Sequence, residues 1–485
     1  MKTIYNKLLI AVMMIILSSC GKNWLDLLPS NKIESSVAIK TVTDARSAIN
    51  GVYYQMQRSS YYGGRMMWHA DICGDDIRTW GNSSTRSGAT YRYDYNPQNA
   101  PSELWSQPYA VIRLANNLLS LIDHIEVTPA QTTERNYIKG EALMARALAH
   151  FDICRVYGYP YLKNNGASLG ACIVTSPLAA DAKPVRSTVA ECYEQVIIPD
   201  LVAAIPLLST DRTASRARFN RWAAKLLLSR VYLYKGDNVN ALREAEECIT
   251  GAQAAGYALY TNTNYPTQWQ TKYSTESLFE IVNNAAQNTG SDGIPNWCAA
   301  NTSNAYHEIG LTQSFYNLLS ADPNDVRLTM LRKGVNYASA FPAFILKYTN
   351  GGSAPTESNV TLYRLSEAYL NAAEAAAKLG DQNDKAVSYL NAIVKRENPA
   401  KSITDVVTLE KVLEERRKEL FGEGHRAFDL LRNGLTIFRA DDAESKMFLP
   451  DYAKVIDWNN FRCILPIPIV EIDANSNIVP NPWGN

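Results

Sequence analysis

The chain has 485 residues, with 48 Lys and Arg set against 48 Asp and Glu, so its formal net charge is zero. That balance, without a polybasic run or an acidic tail, excludes long-range attraction to nucleic acid as a basis for function. The length exceeds what a single core usually serves, so one large domain or two closely packed ones are expected, with no need of disulfide staples.

The first 20 residues run from Lys2 and Lys7 through an apolar stretch, Leu8 to Leu17, to Leu17-Ser18-Ser19-Cys20. A basic start, a short apolar centre and small residues before the cut describe a secretory signal, too short to span a bilayer at roughly 20 residues. Cys20 makes the cut site a lipobox, which resembles bacterial lipoproteins, where the Cys is acylated after cleavage. Each buried methylene contributes about 0.8 kcal/mol, so several acyl chains hold a protein stably. An uncleaved membrane helix, or a secretory signal with an incidental Cys, are the other readings. Beyond Cys20 lie Cys73, Cys154, Cys172, Cys192, Cys248, Cys298 and Cys463, an odd set without a Cys-x-x-Cys, so at least one thiol stays free.

The body reads as mainly helical. In ARSAINGVYYQMQ, Ala45, Ile49, Val52, Tyr53 and Met56 recur at helical spacing after Thr43 and Asp44 as caps. Further helices are predicted over 103–124, 131–157, 187–208, 217–235, 239–251, 361–379, 383–397 and 408–421. Gly236-Asp237 and Gly380-Asp381 each end a helix, and Ala241 or Ala386 opens the next, a helix-turn-helix pattern of the tetratricopeptide kind. The expected fold is therefore mainly α, with tetratricopeptide-like repeats in a right-handed superhelix packed against a long loop-rich region.

Two irregular stretches, 59–102 and 252–360, interrupt the helices and are rich in Tyr and Trp, and long structureless stretches inside a compact protein are commonly functional. Tyr outnumbers Phe 28 to 11, which favours faces that both pack and hydrogen-bond. Catalytic signals are sparse. Five histidines are scattered, and no His-Glu-x-x-His, Gly-x-Ser-x-Gly or phosphate-cradling glycine loop occurs, so neither a metal nor another cofactor is called for. Asp71, Asp75, Asp76, Asp322 and Asp325 gather carboxylates, as a glycosidase requires, but among 48 acids such pairs arise by chance. Asp75 and Asp76 could equally meet a sugar hydroxyl or Ca²⁺.

Ordered motifs then carry a resemblance. Trp24-Leu25-Asp26 and Pro29 follow Cys20; Gly140-Glu141-Ala142, Arg146-Ala147 and Arg155-Val156-Tyr157-Gly158 follow Trp105, Tyr109 and Asn116. Next come Asp322-Pro323-Asn324-Asp325-Val326-Arg327, then Arg364-Leu365-Ser366-Glu367 with Ala373-Glu374-Ala375. Glu415-Arg416-Arg417-Lys418-Glu419-Leu420 precedes Glu423-Gly424-His425-Arg426 and Phe428-Asp429-Leu430, and Leu465-Pro466-Ile467-Pro468 closes the series. In this order the chain resembles the SusD/RagB family of outer-membrane lipoproteins over most of its length. The Arg and Glu residues of 415–429 read as an ion-paired corner between helices, since no nucleophile or ligand set accompanies them.

The resemblance implies residues 1–19 as signal peptide and 20–485 as one SusD-like domain, with a helical framework over 40–58, 103–251 and 361–435 and ligand-binding loops over 59–102 and 252–360. It implies a protein lipid-anchored through Cys20 to the outer membrane and facing the exterior, with no nucleic acid among its partners. Such a protein captures a glycan without hydrolysing it and delivers it to a SusC-like TonB-dependent transporter. Aromatic platforms and polar neighbours suit sugar rings, so Trp80, Asn82, Tyr91, Asn296 and Trp297, supported by Asp75 and Arg78, are the candidate ligand-binding residues. Peptide capture by a RagB-like member, an all-helical glycoside hydrolase, and a tetratricopeptide scaffold that binds only proteins are the other readings. Pro480-Asn481-Pro482-Trp483-Gly484-Asn485 departs from the family's usual ending, which leaves the packing of the tail open.

Overall fold

A computed structural model describes residues 39–79, 86–213, 217–298, 308–333, 341–440 and 449–483. Cys20, Trp80 and Asn82 lie outside the described residues.

Helix α1 (Val42–Gln57) buries Ala45, Ile49, Val52 and Met56, as their spacing requires. Its cap is Thr41, two residues earlier than the sequence suggested. The Thr41 hydroxyl accepts from the Asp44 N–H at 3.1 Å while the Asp44 carboxylate accepts from the Thr41 N–H at 2.9 Å, a closed capping box. After α2 (Arg65–Ile72), helices α3 (Glu103–Ile122) and α4 (Pro129–Tyr157) form an antiparallel hairpin, with Pro129 at the first turn of α4 where its missing N–H costs nothing. The helix expected over 187–208 is broken into Val189–Cys192, a wide π-turn over Tyr193–Ile197, α5 (Ile198–Ala204) and a 3₁₀ turn over Ile205–Leu207. Pro199 and Pro206 explain the breaks, since each removes a helical N–H and crowds the carbonyl four residues back.

The repeats are clearest in α6 (Arg221–Lys235), α7 (Asn238–Ala254), α8 (Leu365–Leu379) and α9 (Asn383–Glu397), each packed on the next. Gly236 and Gly380 end α6 and α8 at φ of 80° and 81°, a backbone that other residues adopt only at a cost, and the Asp237 carboxylate then caps α7. Alanines 372, 373, 375 and 376 are fully buried along α8, where their small size allows close helix approach. Helices α10 (Leu409–Glu419) and α11 (Arg426–Arg432) follow.

Short antiparallel pairs occupy the loop-rich regions: β1 (Ile77–Thr79) with β3 (Ile309–Leu311), and β2 (Ser277–Ile281) with β6 (Val360–Arg364). The others are β4 (Leu331–Arg332) with β5 (Phe344–Ile345), and β7 (Ile437–Phe438) with β8 (Val455–Ile456). Strand β6 corrects the expected helix over 361–379, which starts only at Leu365. β-branched Val360 and Thr361 and aromatic Tyr363 favour the pleated state, and a partner strand is available in β2.

Most of the described loop aromatics are core. Tyr61, Tyr62, Trp68, Tyr93, Tyr257, Tyr260, Tyr265 and Trp269 are all buried. The seven described cysteines are free thiols, six of them buried. The tail is tied down: Asn481 accepts from Arg186 at 2.8 Å and donates to the carbonyls of Tyr157 and Leu465, and the Trp483 ring N–H donates to the Ile464 carbonyl.

The ion-paired corner is present and reaches further than residues 415–429. Arg364 donates to Glu276, Glu419 and Glu423 at 2.7–2.8 Å, and Arg396 pairs with Glu276, Glu397 and Glu419. Arg327 pairs with Asp325 and Glu415, and Lys347 with Glu423. These ion pairs join the residue just before β2 to β6, α9 and α10.

Candidate functional site

A cavity of about 540 Å³ opens where the turn after α2, strand β1, the start of the helix Gln313–Ser320 and the β7–β8 hairpin meet. Asp75, Arg78 and Tyr91, three of the residues singled out by sequence, line it together with Gln313, Phe438 and Arg439. Trp297 and Asn296 are not among its lining. Trp297 is 3% exposed and stacks on Trp68, with ring centroids 4.9 Å apart and planes 12° from parallel, while Arg65 lies over Trp68 at 5.1 Å. The expected open platform is thus a buried stack that fixes the loop to α2. Asn296 is also buried and donates to the Ser291 carbonyl at 3.0 Å, a bond internal to its loop.

Strand β1 sets the cavity wall. Arg78 faces Gly310 across the β1–β3 pair, and its guanidinium lies 5.2 Å from the Phe341 ring centroid. Gly310 is required here, because a Cβ on it would stand 2.6 Å from the Phe341 ring. Asp75, in the turn just before β1, is engaged with arginines: Arg426 donates to its two oxygens at 2.6 and 3.0 Å, and Arg417 lies at 3.6 Å. Burial alone would raise the Asp75 pKa, but Arg426 and Arg417 outweigh it and hold the carboxyl below its ordinary value. Asp76 accepts from Arg417 at 2.5 Å, yet burial, aided by the Asp75 charge, pushes it up to about 6. The paired carboxylates are therefore the acidic half of an arginine-bound cluster that anchors β1 to α10 and α11.

Sequence reading missed the opposite wall, the β7–β8 hairpin. Alternation along the strand leaves Phe438 68% exposed between buried Ile437 and buried Arg439. Phe438 pairs across the hairpin with exposed Val455, so an apolar patch stands at the cavity rim. The Arg439 guanidinium lies 4.1 Å from the Tyr91 ring centroid and 5.4 Å from that of Tyr93. The available signal was the alternating Ile437-Phe438-Arg439 after Gly434, too short to separate from a loop.

A second cavity, of about 690 Å³, lies between α3 and the segments near residues 174 and 478, lined by Trp105, Tyr109, Ile112, Val174, Leu178 and Ile478. The Tyr109 hydroxyl accepts from the Cys172 N–H at 2.7 Å; the Asn116 amide donates to the Val174 and Ser176 carbonyls and accepts from Arg146. These groups are engaged within the protein, while Ser106, Arg113, Asn117 and Glu471 add further polar side chains to the lining.

Comparison with known proteins accords with this architecture. Residues 23–233 match the family model described as starch-binding associating with outer membrane, and residues 329–483 match that of the SusD family. A crystal structure from Bacteroides vulgatus is 44% identical, with a TM-score of 0.86 over 92% of this chain and 99% of that one. A SusD superfamily protein from the same species is 38% identical, with a TM-score of 0.85 over 92% of this chain and all of that one. The SusD-like protein P2 of Formosa agariphila is 26% identical over 98% of this chain and 99% of its own length. On these matches, the chain belongs to the SusD family.

Proposed function

We propose that this protein is a lipid-anchored glycan-capture protein of the outer-membrane exterior, tethered through Cys20, which passes its ligand to a SusC-like TonB-dependent transporter. The observation that carries the reading is the cavity at the β1 and β7–β8 walls, where exposed Phe438 stands beside Tyr91, Arg78 and Arg439. An aromatic face at the rim suits the apolar face of a sugar ring, and nearby polar side chains suit its hydroxyls. Family membership supports the same reading, since the matched family is described as starch-binding and outer-membrane associated. Trp80 and Asn82, which follow β1 directly in sequence, are assigned to this site with Asp75, Arg78 and Tyr91.

Binding rather than hydrolysis is the reading the carboxylates favour. Asp75 and Asp76 are both held by Arg417 and Arg426, and a carboxylate fixed between guanidiniums is poorly placed to exchange a proton with a glycosidic oxygen. The test is isothermal titration against soluble polysaccharides and a peptide mixture, comparing the parent with Phe438→Ala and Trp80→Ala. Saturable glycan heat that weakens at least tenfold in Phe438→Ala is expected. Heat with peptides alone, or glycan binding indifferent to both substitutions, defeats the reading of the ligand or of its place.

A further inference from the structure

We propose that Cys154 and Cys192 become joined by a disulfide when the chain is exported, a covalent link between the end of α4 and the segment that leads into α5. The inference rests on the export part of the proposed function and adds a modification site to it.

Cys154 lies in the last turn of α4, and Cys192 closes the short helix Val189–Cys192, some 38 residues later. Both are thiols in the structure, and both are buried. Backbone pairing brings them together: Gly170 N–H donates to the Ser187 carbonyl at 2.7 Å, and Ser187 N–H to the Ala171 carbonyl at 2.9 Å. A Cβ placed on Gly170 would stand 3.0 Å from the Cys154 sulfur, while the Cys192 sulfur donates to the Ala171 carbonyl at 3.6 Å. The two thiols thus meet at one dipeptide and engage each other, the Cys154 S–H donating to the Cys192 sulfur. Sulfurs that already face each other meet the first demand of a disulfide, whose atoms must close to about 2.0 Å. Four of the other thiols are turned elsewhere. Cys73 donates to the Thr90 carbonyl at 4.0 Å, Cys172 to that of Pro184 at 3.6 Å, Cys248 to that of Trp222 at 3.3 Å and Cys463 to that of Trp458 at 3.8 Å.

Exported proteins fold where disulfides form and persist. Oxidation takes one hydrogen from each sulfur and makes one S–S bond. The two electrons and two protons pass to the disulfide of an oxidised dithiol catalyst, which leaves as two thiols. Because both sulfurs are buried in the finished fold, the exchange belongs to folding, and the product is afterwards shielded from reductants. The link has a mechanical consequence. Arg186, in the paired segment, donates to the carbonyls of Tyr157, Leu169, Gly170 and Val479. Fixing residue 192 to α4 therefore holds the helix end, the paired segment and the C-terminal tail as one unit.

The test expresses the full chain with its own signal, and the chain from Trp24 behind a general secretory signal, in a Gram-negative host. Free thiols are alkylated in denaturant without reductant and mapped by mass spectrometry. With both signals, Cys154 and Cys192 are expected to escape alkylation and to appear in one linked peptide pair, while Cys73, Cys172, Cys248, Cys298 and Cys463 are labelled. The chain from Trp24 made in a reducing cytosol should have every thiol labelled and unfold about 3–4 °C lower. In Cys192→Ala the exported and cytosolic preparations should unfold together, whatever the substitution itself costs. Labelling of Cys154 and Cys192 with both signals, or a link between any other two cysteines, overturns the pair. Labelling of both only behind the chain's own signal overturns the export reading and leaves the pair standing.

Discussion

The buried ion cluster makes a quantitative prediction about Glu397. Its cations are Arg327, Lys347, Arg364, Arg396 and Lys418, and its buried acids are Asp325, Glu276, Glu397, Glu415, Glu419 and Glu423, one buried acid in excess, with exposed Glu414 also reaching Lys418. The surplus is resolved at Glu397, where burial first, with Glu419 and Asp325 adding to it, raises the pKa to about 8 against the pull of Arg396 and Arg327. A carboxyl whose pKa is higher folded than unfolded favours folding through the proton it retains. That contribution is complete below 4.5, the unfolded value, and is lost as pH rises through about 8. Across this window it changes stability by about 1.4 kcal/mol per pH unit, about 5 kcal/mol in all. Glu397→Gln mimics the protonated form and cannot ionise. Urea unfolding of the chain cut before Trp24, parent and variant in parallel from pH 5 to 9, should show the variant gaining on the parent by about 1.4 kcal/mol per unit up to pH 8. Above pH 8 the gap should level off. The subtraction removes titrations remote from the cluster, and a fixed cost of the substitution shifts the difference without tilting it. Parallel curves between pH 5 and 8 would refute the assignment of the shared proton to Glu397.

Two further outcomes follow from the same geometry. On the acid side, burial would raise the pKa of Glu367, but Arg230, donating at 2.6 and 2.7 Å, leads the cations that hold it down to about 2. Its contribution is present above pH 4.5 and lost as pH falls toward 2, so Glu367→Gln should flatten the acid limb of the stability profile by about 3 kcal/mol. Gly310→Ala, which forces a Cβ against Phe341 at 2.6 Å, should cost about 1–3 kcal/mol in urea unfolding. The same substitution should weaken ligand binding, because Phe341 supports Arg78 in the cavity wall.

The helical framework was open to sequence reading because its signals are local. Ala45, Ile49, Val52 and Met56 repeat at a helical period, and Gly236-Asp237 marks a turn by the backbone angle it needs and the cap it supplies. Where that reading failed, a longer-range partner had decided the matter. Residues 360–364 look like the start of α8 until β2 is there to pair with them. Trp297 looks like a sugar platform until Trp68, some 230 residues earlier, covers its face.

The cavity was half visible for the same reason. Asp75, Arg78 and Tyr91 stand close together in one loop-rich stretch, whereas Phe438 and Arg439 arrive from a strand of two residues, and the residue after it, whose partner lies beyond residue 450. Polar residues beside such a short strand look like any surface loop, and only the fold shows that Arg439 is buried against aromatic rings. The arginines of the motif at 415–429 and Arg439 at the cavity wall therefore differ by what they pack against, not by type. Arg416 and Arg426 each meet a carboxylate within 2.7 Å and hold helices together. Arg439 meets instead the ring faces of Tyr91 and Tyr93 at the wall of the cavity.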